Sequence, residues 1–146
     1  MKSTDIFKKF IPTVRGKFVY ANNDGSFSFC YGYYQPIVGV DGKGVIITNT
    51  GLKYEVLSDT VGMLSELTDK NFVKIYDGDI ISVVLSDGQK LLKIVKYLPN
   101  KGGFKMANVF ELDESWDIWQ TIDQKWLDEM DVVVEGNMYD NPELLK

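Results

Sequence analysis

Short runs of aliphatic and aromatic residues alternate with polar, glycine-containing turns along most of the chain. Asp-Gly pairs mark such turns at positions 24–25, 41–42, 77–78 and 87–88. Asp-Gly between β-branched or aromatic runs predicts a hairpin, because both residues tolerate the positive φ of tight turns. The flanking runs predict strands over residues 17–21, 26–34, 45–48, 53–57, 80–85, 89–98 and 104–112. Short strands at this spacing are typical of an all-β sandwich or barrel with little helix.

Residues 90–98 fit two kinds of element. Lys90, Lys93 and Lys96 recur at every third position among apolar residues, which would also suit an amphipathic helix ended by Pro99. The preceding Asp-Gly turn at 87–88 instead makes the segment the second arm of a hairpin. We therefore expect a strand, with the helix as the alternative.

One short helix is expected over residues 122–130. Thr121 and Gln124 have the spacing of a capping box, which would satisfy free backbone donors at a helix start. Apolar residues then share one face, which can pack on a sheet: Ile122, Trp126, Leu127 and Met130.

Length and composition indicate a single globular domain over residues 1–146. The chain has 146 residues, of which 45% are hydrophobic and 25% charged, the balance of an ordinary globular protein. No internal repeat and no linker rich in Ser or Pro divides it. No stretch approaches the roughly 18–20 apolar residues that span a bilayer, and the first residues lack the apolar core of a secretory signal. We expect a cytoplasmic protein without membrane contact.

Two residue counts exclude several classes of chemistry. The sequence contains no His, which removes Ser-His-Asp and Cys-His nucleophile pairs and His-ligated zinc. Its single Cys cannot form an internal disulfide or a thiolate metal cage. That residue, Cys30, lies in an aromatic run without a nearby basic residue, so we expect a buried, inert thiol.

Charge is distributed unevenly around a net value of −5. Residues 111–146 hold two basic and eleven acidic residues, and such an acidic segment repels phosphate. The first 17 residues hold one acid, Asp5, and a set of basic residues: Lys2, Lys8, Lys9, Arg15 and Lys17. A solvated terminus is the expected interpretation of this basic start, and a small phosphate-contacting arm is the alternative.

With no His present, carboxylates are the first candidates for acid–base or metal chemistry. Asp77 and Asp79 flank Gly78 before an apolar strand, where they could bind a divalent cation or act as an acid/base pair. The segment fails as a calcium loop, because Ser82 stands at its sixth position and Gly88 at its twelfth. We expect both carboxylates to accept hydrogen bonds from backbone amides of the turn.

Two other polar loops are predicted to be plain turns. Residues 22–25, Asn-Asn-Asp-Gly, resemble an ion loop but have no later bidentate acid in register, so a hairpin turn is expected. Residues 39–44 contain glycines and Lys43 but no GK[ST] motif and no following helix, so they do not form a phosphate loop.

Aromatic residues are dense in the second predicted strand. The set is Phe27, Phe29, Tyr31, Tyr33 and Tyr34, and a regular strand places the first four on one face. Aromatic rings on a small barrel can stack unpaired bases, but that mode also needs Lys and Arg among the rings. Residues 26–40 contain neither, so packing in the core or at a subunit interface is the expected interpretation.

Two segments resemble a known family. Residues 61–80 read V-G-M-L-S-E-L-T-D-K-N-F-V-K-I-Y-D-G-D-I, beside the family pattern V-G-Q-Y-T-G-L-x-D-K-N-G-x-x-I-Y-E-G-D-I. Residues 132–145 contain G-N-M-Y-D-N-P-E-L-L, beside the closing pattern E-V-I-G-N-I-Y-E-N-P-E-L-L. The chain resembles the YopX family of phage and prophage proteins on these motifs. It departs from the pattern at Ser65-Glu66, where the family has Thr-Gly, at Glu135, which precedes Gly136, and in lacking the opening I-K-F-R-A-W.

The resemblance implies a mostly β fold, a folded-over, bifurcated sheet that forms a pseudo-barrel, and a phage or prophage origin. The family carries no established activity, so the resemblance assigns no catalytic, cofactor or metal residue. The shared residues are instead interpreted as fold determinants. We expect apolar anchors and turn residues among them: Val61, Leu67, Ile75, Gly78, Asp79, Ile80, Asn137, Asn141 and Pro142.

Three functions follow in order of expectation. The first is a non-enzymatic accessory protein that contacts a host or phage protein, or a second copy of itself, consistent with the 13% of aromatic residues. The second is a nucleic-acid-associated small β-barrel that uses a lysine-rich stretch: Lys90, Lys93, Lys96, Lys101 and Lys105. The third is an enzyme that holds a divalent metal through Asp77 and Asp79.

Overall fold

The computed structural model describes residues 13–37 and 41–146, which are mostly antiparallel β-strands. The strands are β1 Val14–Lys17, β2 Phe29–Pro36, β3 Lys43–Ile47, β4 Lys53–Leu57, β5 Gly62–Thr68, β6 Lys74–Tyr76, β7 Asp79–Val84, β8 Lys90–Leu98, β9 Gly103–Asn108, β10 Gln120–Thr121 and β11 Val133–Asn137. Within these two ranges one short α-helix, α1, spans Gln124–Glu129. Single 3-10 turns lie at Ser58–Thr60, Pro99–Lys101, Val109–Glu111 and Pro142–Leu145. The predicted mainly-β class with one short helix is confirmed.

The chain forms two compact units, of which the first is Met1–Met63. Its described strands have the antiparallel order β4-β3-β2-β1, and the first residues of β5 pair with β1. Alternate residues of these strands point to one face and form a small core: Cys30, Ile46 and Val56, with Val14, Phe18, Tyr34 and Val61 packed against them. After β1, Phe18 forms an antiparallel bridge with Val56, so the chain also touches β4.

The second unit, Leu64–Lys146, contains a five-stranded antiparallel sheet of order β10-β9-β8-β7-β11. The rest of β5 pairs with β6. The main core lies on one face of the five-stranded sheet: Ile75, Ile81, Val83, Val95, Met106, Ile122, Leu127 and Val132. Helix α1 contributes Leu127, which is 1% exposed. Burial of such side chains stabilises the unit by about 1.5–3 kcal/mol each.

Neither strand order closes into a barrel. The longer order is β4-β3-β2-β1-β5-β6, with β4 and β6 at its ends, and the other ends at β10 and β11. Open sheets agree with the predicted pseudo-barrel rather than a closed one. The prediction of one domain over residues 1–146 stays a prediction. No helix in the described ranges has the length and apolar character needed to cross a bilayer.

Residues 90–98 form a strand, which confirms the hairpin interpretation over the helix. β8 pairs with β7 on one side and with β9 on the other. The period of three in its lysines does not describe a single face, because Lys93 points toward the main core while Lys90 and Lys96 point away from it. Sheet pairing on both edges outweighs the helical spacing.

Several predicted boundaries are wrong for identifiable reasons. The strand predicted at 17–21 overlaps β1 only at Lys17, because β1 spans Val14–Lys17. It does not continue, because the next residues bond to two different segments: Phe18 N donates to Ser28 O at 3.1 Å and Val19 N to Glu55 O at 3.4 Å. The strand predicted at 26–34 begins only at Phe29 and continues to Pro36. The strand predicted at 104–112 ends at Asn108, where a 3-10 turn begins.

The helix start is also corrected. Asp123 is the N-cap, and its carboxylate accepts from Trp126 N at 2.8 Å. Thr121 belongs to β10, where it pairs with Lys105, so the predicted capping box does not form. The side-chain amide of Gln124 bonds both backbone groups of Thr68: its Oε1 accepts from Thr68 N at 3.0 Å, and its Nε2 donates to Thr68 O at 2.9 Å. Of the predicted apolar face, Met130 stays 36% exposed beyond the helix end.

Candidate functional site

Both acids at the 77–79 turn accept a backbone hydrogen bond, but only Asp79 accepts from a residue next to the turn, whereas the donor to Asp77 lies in β8. Asp79 is 2% exposed and its Oδ2 accepts from Tyr76 N at 2.7 Å. Asp77 Oδ1 accepts from Tyr97 N at 2.8 Å and lies 3.2 Å from Lys96 Nζ. Gly78 between them has φ +92°, a conformation that favours glycine. Among the described residues no cluster of three or more His, Cys, Asp or Glu could hold a metal ion.

A third motif acid, Asp69, was not singled out by the sequence. Its side chain is buried, and its Oδ1 accepts from Asn71 N at 2.8 Å and from Val73 N at 2.9 Å. Its Oδ2 accepts from Val134 N of β11 at 2.9 Å. The Asp-x-Asn spacing after a strand was an available signal, since Asp commonly bonds the backbone two residues on. One carboxylate thereby fixes the β5–β6 turn and joins it to β11.

The closing motif is a network of asparagine hydrogen bonds. Asn137 Oδ1 accepts from Tyr139 N at 3.0 Å and from Asp140 N at 2.9 Å. Asn141 Oδ1 accepts from Asn137 N at 3.1 Å. A Cβ at Gly136 would lie 2.2 Å from Asn141 Oδ1, so glycine is required there for close approach. The motif residues shape the chain reversal after β11.

Glu135 occupies a β-bulge in β11, since the pairing with β7 shifts between Val134 and Gly136. Its Oε1 accepts from Ser82 Oγ at 2.7 Å and from Lys90 Nζ at 3.2 Å. The hydrogen bond from Ser82, and then that from Lys90, lowers the pKa of Glu135. The departure of this chain from the closing pattern is thus a local bulge that leaves the motif intact.

The polar loops are turns where they can be described. Asn22 N donates to Ser26 O at 2.7 Å, and Asp24 Oδ1 accepts from Ser26 N at 2.9 Å. The hydrogen bonds from Ser26 lower the pKa of the exposed Asp24. In the 39–44 loop, residues 39 and 40 lie outside the described residues, and Gly42 has the φ of +79° that a turn residue adopts.

The aromatic strand β2 presents its rings away from the core. Tyr31 and Tyr33 are 43% and 46% exposed and share a face with Phe29, whereas Cys30 faces the core. Phe27 lies before the strand. Of the two alternatives predicted for these rings, core packing is wrong, because the alternation places Cys30, Gly32 and Tyr34 inward instead. Packing at a subunit interface stays a prediction. We call Phe29, Tyr31 and Tyr33 the β2 aromatic face.

Strand β1 supplies the cations that the aromatic segment itself lacks. Its register sets Arg15 opposite Tyr31 and Lys17 opposite Phe29. Arg15 Cζ lies 4.3 Å from the centroid of the Phe29 ring, and Lys17 Nζ lies 3.9 Å from it. At such distances a cation is attracted to the π-face of the ring. Both cations are buried, and Lys17 Nζ also donates to the Phe27 carbonyl. The sequence missed this pairing, because strand register is set by tertiary structure.

Four lysines of the 90–105 stretch are paired with carboxylates or buried. Lys90 pairs with Glu135, Lys96 with Asp77, and Lys101 with Asp117 at 3.0 Å. The hydrogen bond from Lys101 lowers the pKa of Asp117. Lys2, Lys8 and Lys9 lie outside the described residues. The lysine-rich stretch at 90–105 therefore does not form a continuous open basic surface.

Lys93 is a buried lysine on the core face of β8. Its Nζ donates to Asn108 Oδ1 at 2.6 Å and to Gln120 Oε1 at 2.9 Å, and lies 5.9 Å from the Trp126 ring centroid. Burial lowers the pKa of Lys93, against an opposing effect of Glu111. The same effect of burial raises the pKa of Cys30, which agrees with the predicted inert thiol. The contacts of Lys93 join β8, β9 and β10.

Comparisons with known proteins support the motif analysis. A search of curated protein sequences finds no match to this chain. Among solved structures, the chain is similar to protein EF1440 from Enterococcus faecalis, with a TM-score of 0.52 and 21% identity over 94% of this chain and 100% of that chain. That likeness concerns the fold. The family model described as YopX protein matches residues 19–146, nearly the whole chain. The chain therefore belongs to the YopX family.

Proposed function

We propose that this chain is a phage or prophage accessory protein that acts in the host cytoplasm by contacting another protein, without catalysis. The observation that carries the proposal is the β2 aromatic face. Tyr31 and Tyr33 offer large, partly exposed rings on a regular strand, and such residues are enriched at protein interfaces. The YopX motifs support a shared architecture, since their acids and amides bond the chain's own backbone.

The proposed contact is rigidly presented. Strand β2 is held on both sides, by β1 and by β3. Arg15 and Lys17 lie against Phe29, which fixes that ring beside Tyr31 at a centroid distance of 6.3 Å. Rings fixed before binding lose less conformational entropy on association, which favours affinity.

Recovery of partners from bacterial cells that carry the phage tests the proposal. We expect tagged wild-type chain to recover a protein partner that the Tyr31→Ala/Tyr33→Ala variant loses. Tyr20→Ala is the matched control, because Tyr20 is 82% exposed but lies outside the face. Tyr20→Ala should keep the wild-type Tm, since exposed substitutions change stability by about 0.5 kcal/mol or less. The double variant truncates two half-buried rings, so its Tm should fall, and a cooperative transition shows that it is folded. Equal recovery by the double variant would contradict the proposal.

Absence of metal chemistry is the second part of the proposal. The carboxylates of Asp77 and Asp79 accept backbone hydrogen bonds, which a bound cation would have to replace. We expect millimolar magnesium, manganese or calcium to leave the Tm unchanged, because a ligand that binds only the folded state raises it. This part would be contradicted if the Tm of the wild type rose with cation concentration while the Tm of Asp77→Asn did not.

A single-stranded nucleic acid is the second candidate partner. Its supporting observation is the pair of partly exposed rings, Tyr31 and Tyr33, since single-strand binders stack bases on such rings. Fluorescence anisotropy with a labelled oligonucleotide tests it. Binding that weakens steeply as salt rises, and that is lost in Tyr31→Ala/Tyr33→Ala, would favour this function over a protein partner. No binding at low salt would dismiss it.

A further inference from the structure

Phe72 combines backbone strain with high exposure. Its φ is +62°, a left-handed conformation that is an outlier for a bulky side chain. Its side chain is 86% exposed, and the next residue, Val73, is 47% exposed. Two apolar side chains thus project at the tip of the β5–β6 turn. Strained residues persist where surrounding structure holds them, and they cluster at functional sites.

The surrounding turn is rigid. Phe72 N donates to Asp69 O at 3.0 Å, and Asp69 N donates to Val73 O at 3.0 Å. The buried Asp69 carboxylate also accepts from the backbone of Asn71 and Val73. Lys70 N donates to Val132 O at 2.9 Å, which ties the turn to the neighbouring chain segment. The Phe72 ring is therefore presented in a fixed position, as in the anchor residues of interfaces.

The charges beside Phe72 indicate what kind of surface would bind it. Lys70 and Lys74 are both exposed on either side of Phe72 in the turn, residues 69–74, which we call the Phe72 turn. A complementary surface would be apolar and flanked by carboxylates.

The same unit carries a segment with that character. Phe110 and Trp116 are 72% and 62% exposed. Between them lie the exposed Asp113 and Glu114, with no basic residue in the segment. Its other two acids have partners within the chain, Glu111 with Asn108 and Asp117 with Lys101. We call residues 110–117 the acidic aromatic segment.

We propose that two copies of this chain associate, with the Phe72 turn of one copy on the acidic aromatic segment of the other. The inference rests on the proposed interaction function and names a second copy as a partner, through a surface different from the β2 aromatic face. Apolar contact between Phe72 and the exposed rings is supported by attraction between lysines and carboxylates. Because these charges are exposed, the association weakens as salt rises.

Sedimentation equilibrium of purified full chain tests the proposal. We expect the wild type to exceed the monomer mass of 16.6 kDa at micromolar concentrations. Phe72→Gly should raise the dissociation constant at least about tenfold, as loss of an anchor residue does. Glycine relieves the strain at this position, so the variant should retain or exceed the wild-type Tm.

Glu66→Gly is the matched control. Glu66 also has a positive φ, +66°, and is exposed, but it lies in β5 outside the Phe72 turn. This variant relieves the same kind of strain and should leave the dissociation constant unchanged. Equal weakening by both glycine variants would overturn the proposal, because backbone strain rather than the ring would then control association.

Charge reversal provides a positive test. Lys70→Glu/Lys74→Glu and Asp113→Lys/Glu114→Lys should each weaken self-association, whereas an equimolar mixture of the two should restore it, because both contacts in the mixed pair join opposite charges. A monomeric wild type, or a mixture that fails to associate, would overturn the proposal and assign the Phe72 turn to a different partner. The partner recovery through Tyr31 and Tyr33 is measured separately, so it can succeed when self-association fails.

Discussion

At the scale of single residues, the motif acids are used as acceptors for backbone donors. Asp69 accepts from three amides, and Asp79 is buried with Tyr76 N as a partner. A hydrogen bond to a charged group contributes about 1.5–3 kcal/mol, and loss of the acceptor leaves buried donors unsatisfied. The sequence predicted this role at Asp79, which follows the Asp-Gly pair, whereas the donor expected for Asp77 within the turn is instead Tyr97 N of β8. It missed Asp69, whose third donor comes from a strand far along the chain.

Removal of the Asp69 carboxylate should destabilise the fold strongly. We expect Asp69→Ala to lower the free energy of unfolding by about 3 kcal/mol or more, measured by urea denaturation, because three backbone amides lose their shared, buried acceptor. Asp87→Ala is the control, since exposed Asp87 accepts only from Gln89 N in an open turn, and it should cost about 0.5 kcal/mol. Similar losses in the two variants would contradict the role of Asp69.

Glu135 should make stability depend on acid pH. Its pKa is lowered in the folded protein, chiefly by the Ser82 hydrogen bond. A lowered folded pKa stabilises the protein above the unfolded pKa, and the effect is lost as pH falls through the folded value. The stability difference between wild type and Glu135→Gln should therefore be present at pH 7 and shrink below the ordinary value of 4.5. A difference that is constant from pH 7 to pH 3, by urea denaturation, would contradict this.

At the scale of elements, three of the four hairpins marked by Asp-Gly were predicted correctly, and bulged strands were not predictable. The hairpin predicted at 77–78 is wrong, because that turn joins β6 and β7, which pair with other strands and not with each other. β4 matches its predicted bounds, and β7–β8 forms the expected hairpin. β5 and β11 were missed because both contain pairing irregularities, near Glu66 and at Glu135, that interrupt the period of two. β10, with two residues, is too short to leave a pattern. The period of two in β2 also did not show which of its two faces packs on a core. The structure places Cys30 and Tyr34 in the core and leaves Tyr31 and Tyr33 on the exposed face.

Deletion of the closing segment tests the role of β11. We expect a chain lacking residues 132–146 to lose its cooperative thermal transition, because the deletion removes buried Val132, the pairing of β11 with β7, and a donor to Asp69. Deletion of residues 143–146 alone is the matched comparison, since it removes only partly buried or exposed residues of the last 3-10 turn, and it should keep the transition. A sharp transition at a similar temperature in the longer deletion would overturn the assignment.

At the scale of the whole molecule, two compact units share one family signature. The YopX match covers residues 19–146 and thus parts of both units. The first signature segment also crosses the boundary between Met63 and Leu64. Its apolar anchors serve different cores, since Val61 packs in the first unit and Ile75 in the second. The family pattern thereby describes positions that build a fold. The β2 aromatic face and the acidic aromatic segment lie outside its two signature segments, whereas the Phe72 turn lies inside the first.

Calorimetric unfolding of Asp79→Ala beside wild type tests this account most directly. Asp79 is a signature residue that is 2% exposed and bonded to the backbone. If the signature builds the fold, the variant should lose about 2–3 kcal/mol and its Tm should fall by roughly 5–10 °C. An unchanged Tm would contradict the account, because the carboxylate would then be kept for a purpose other than architecture.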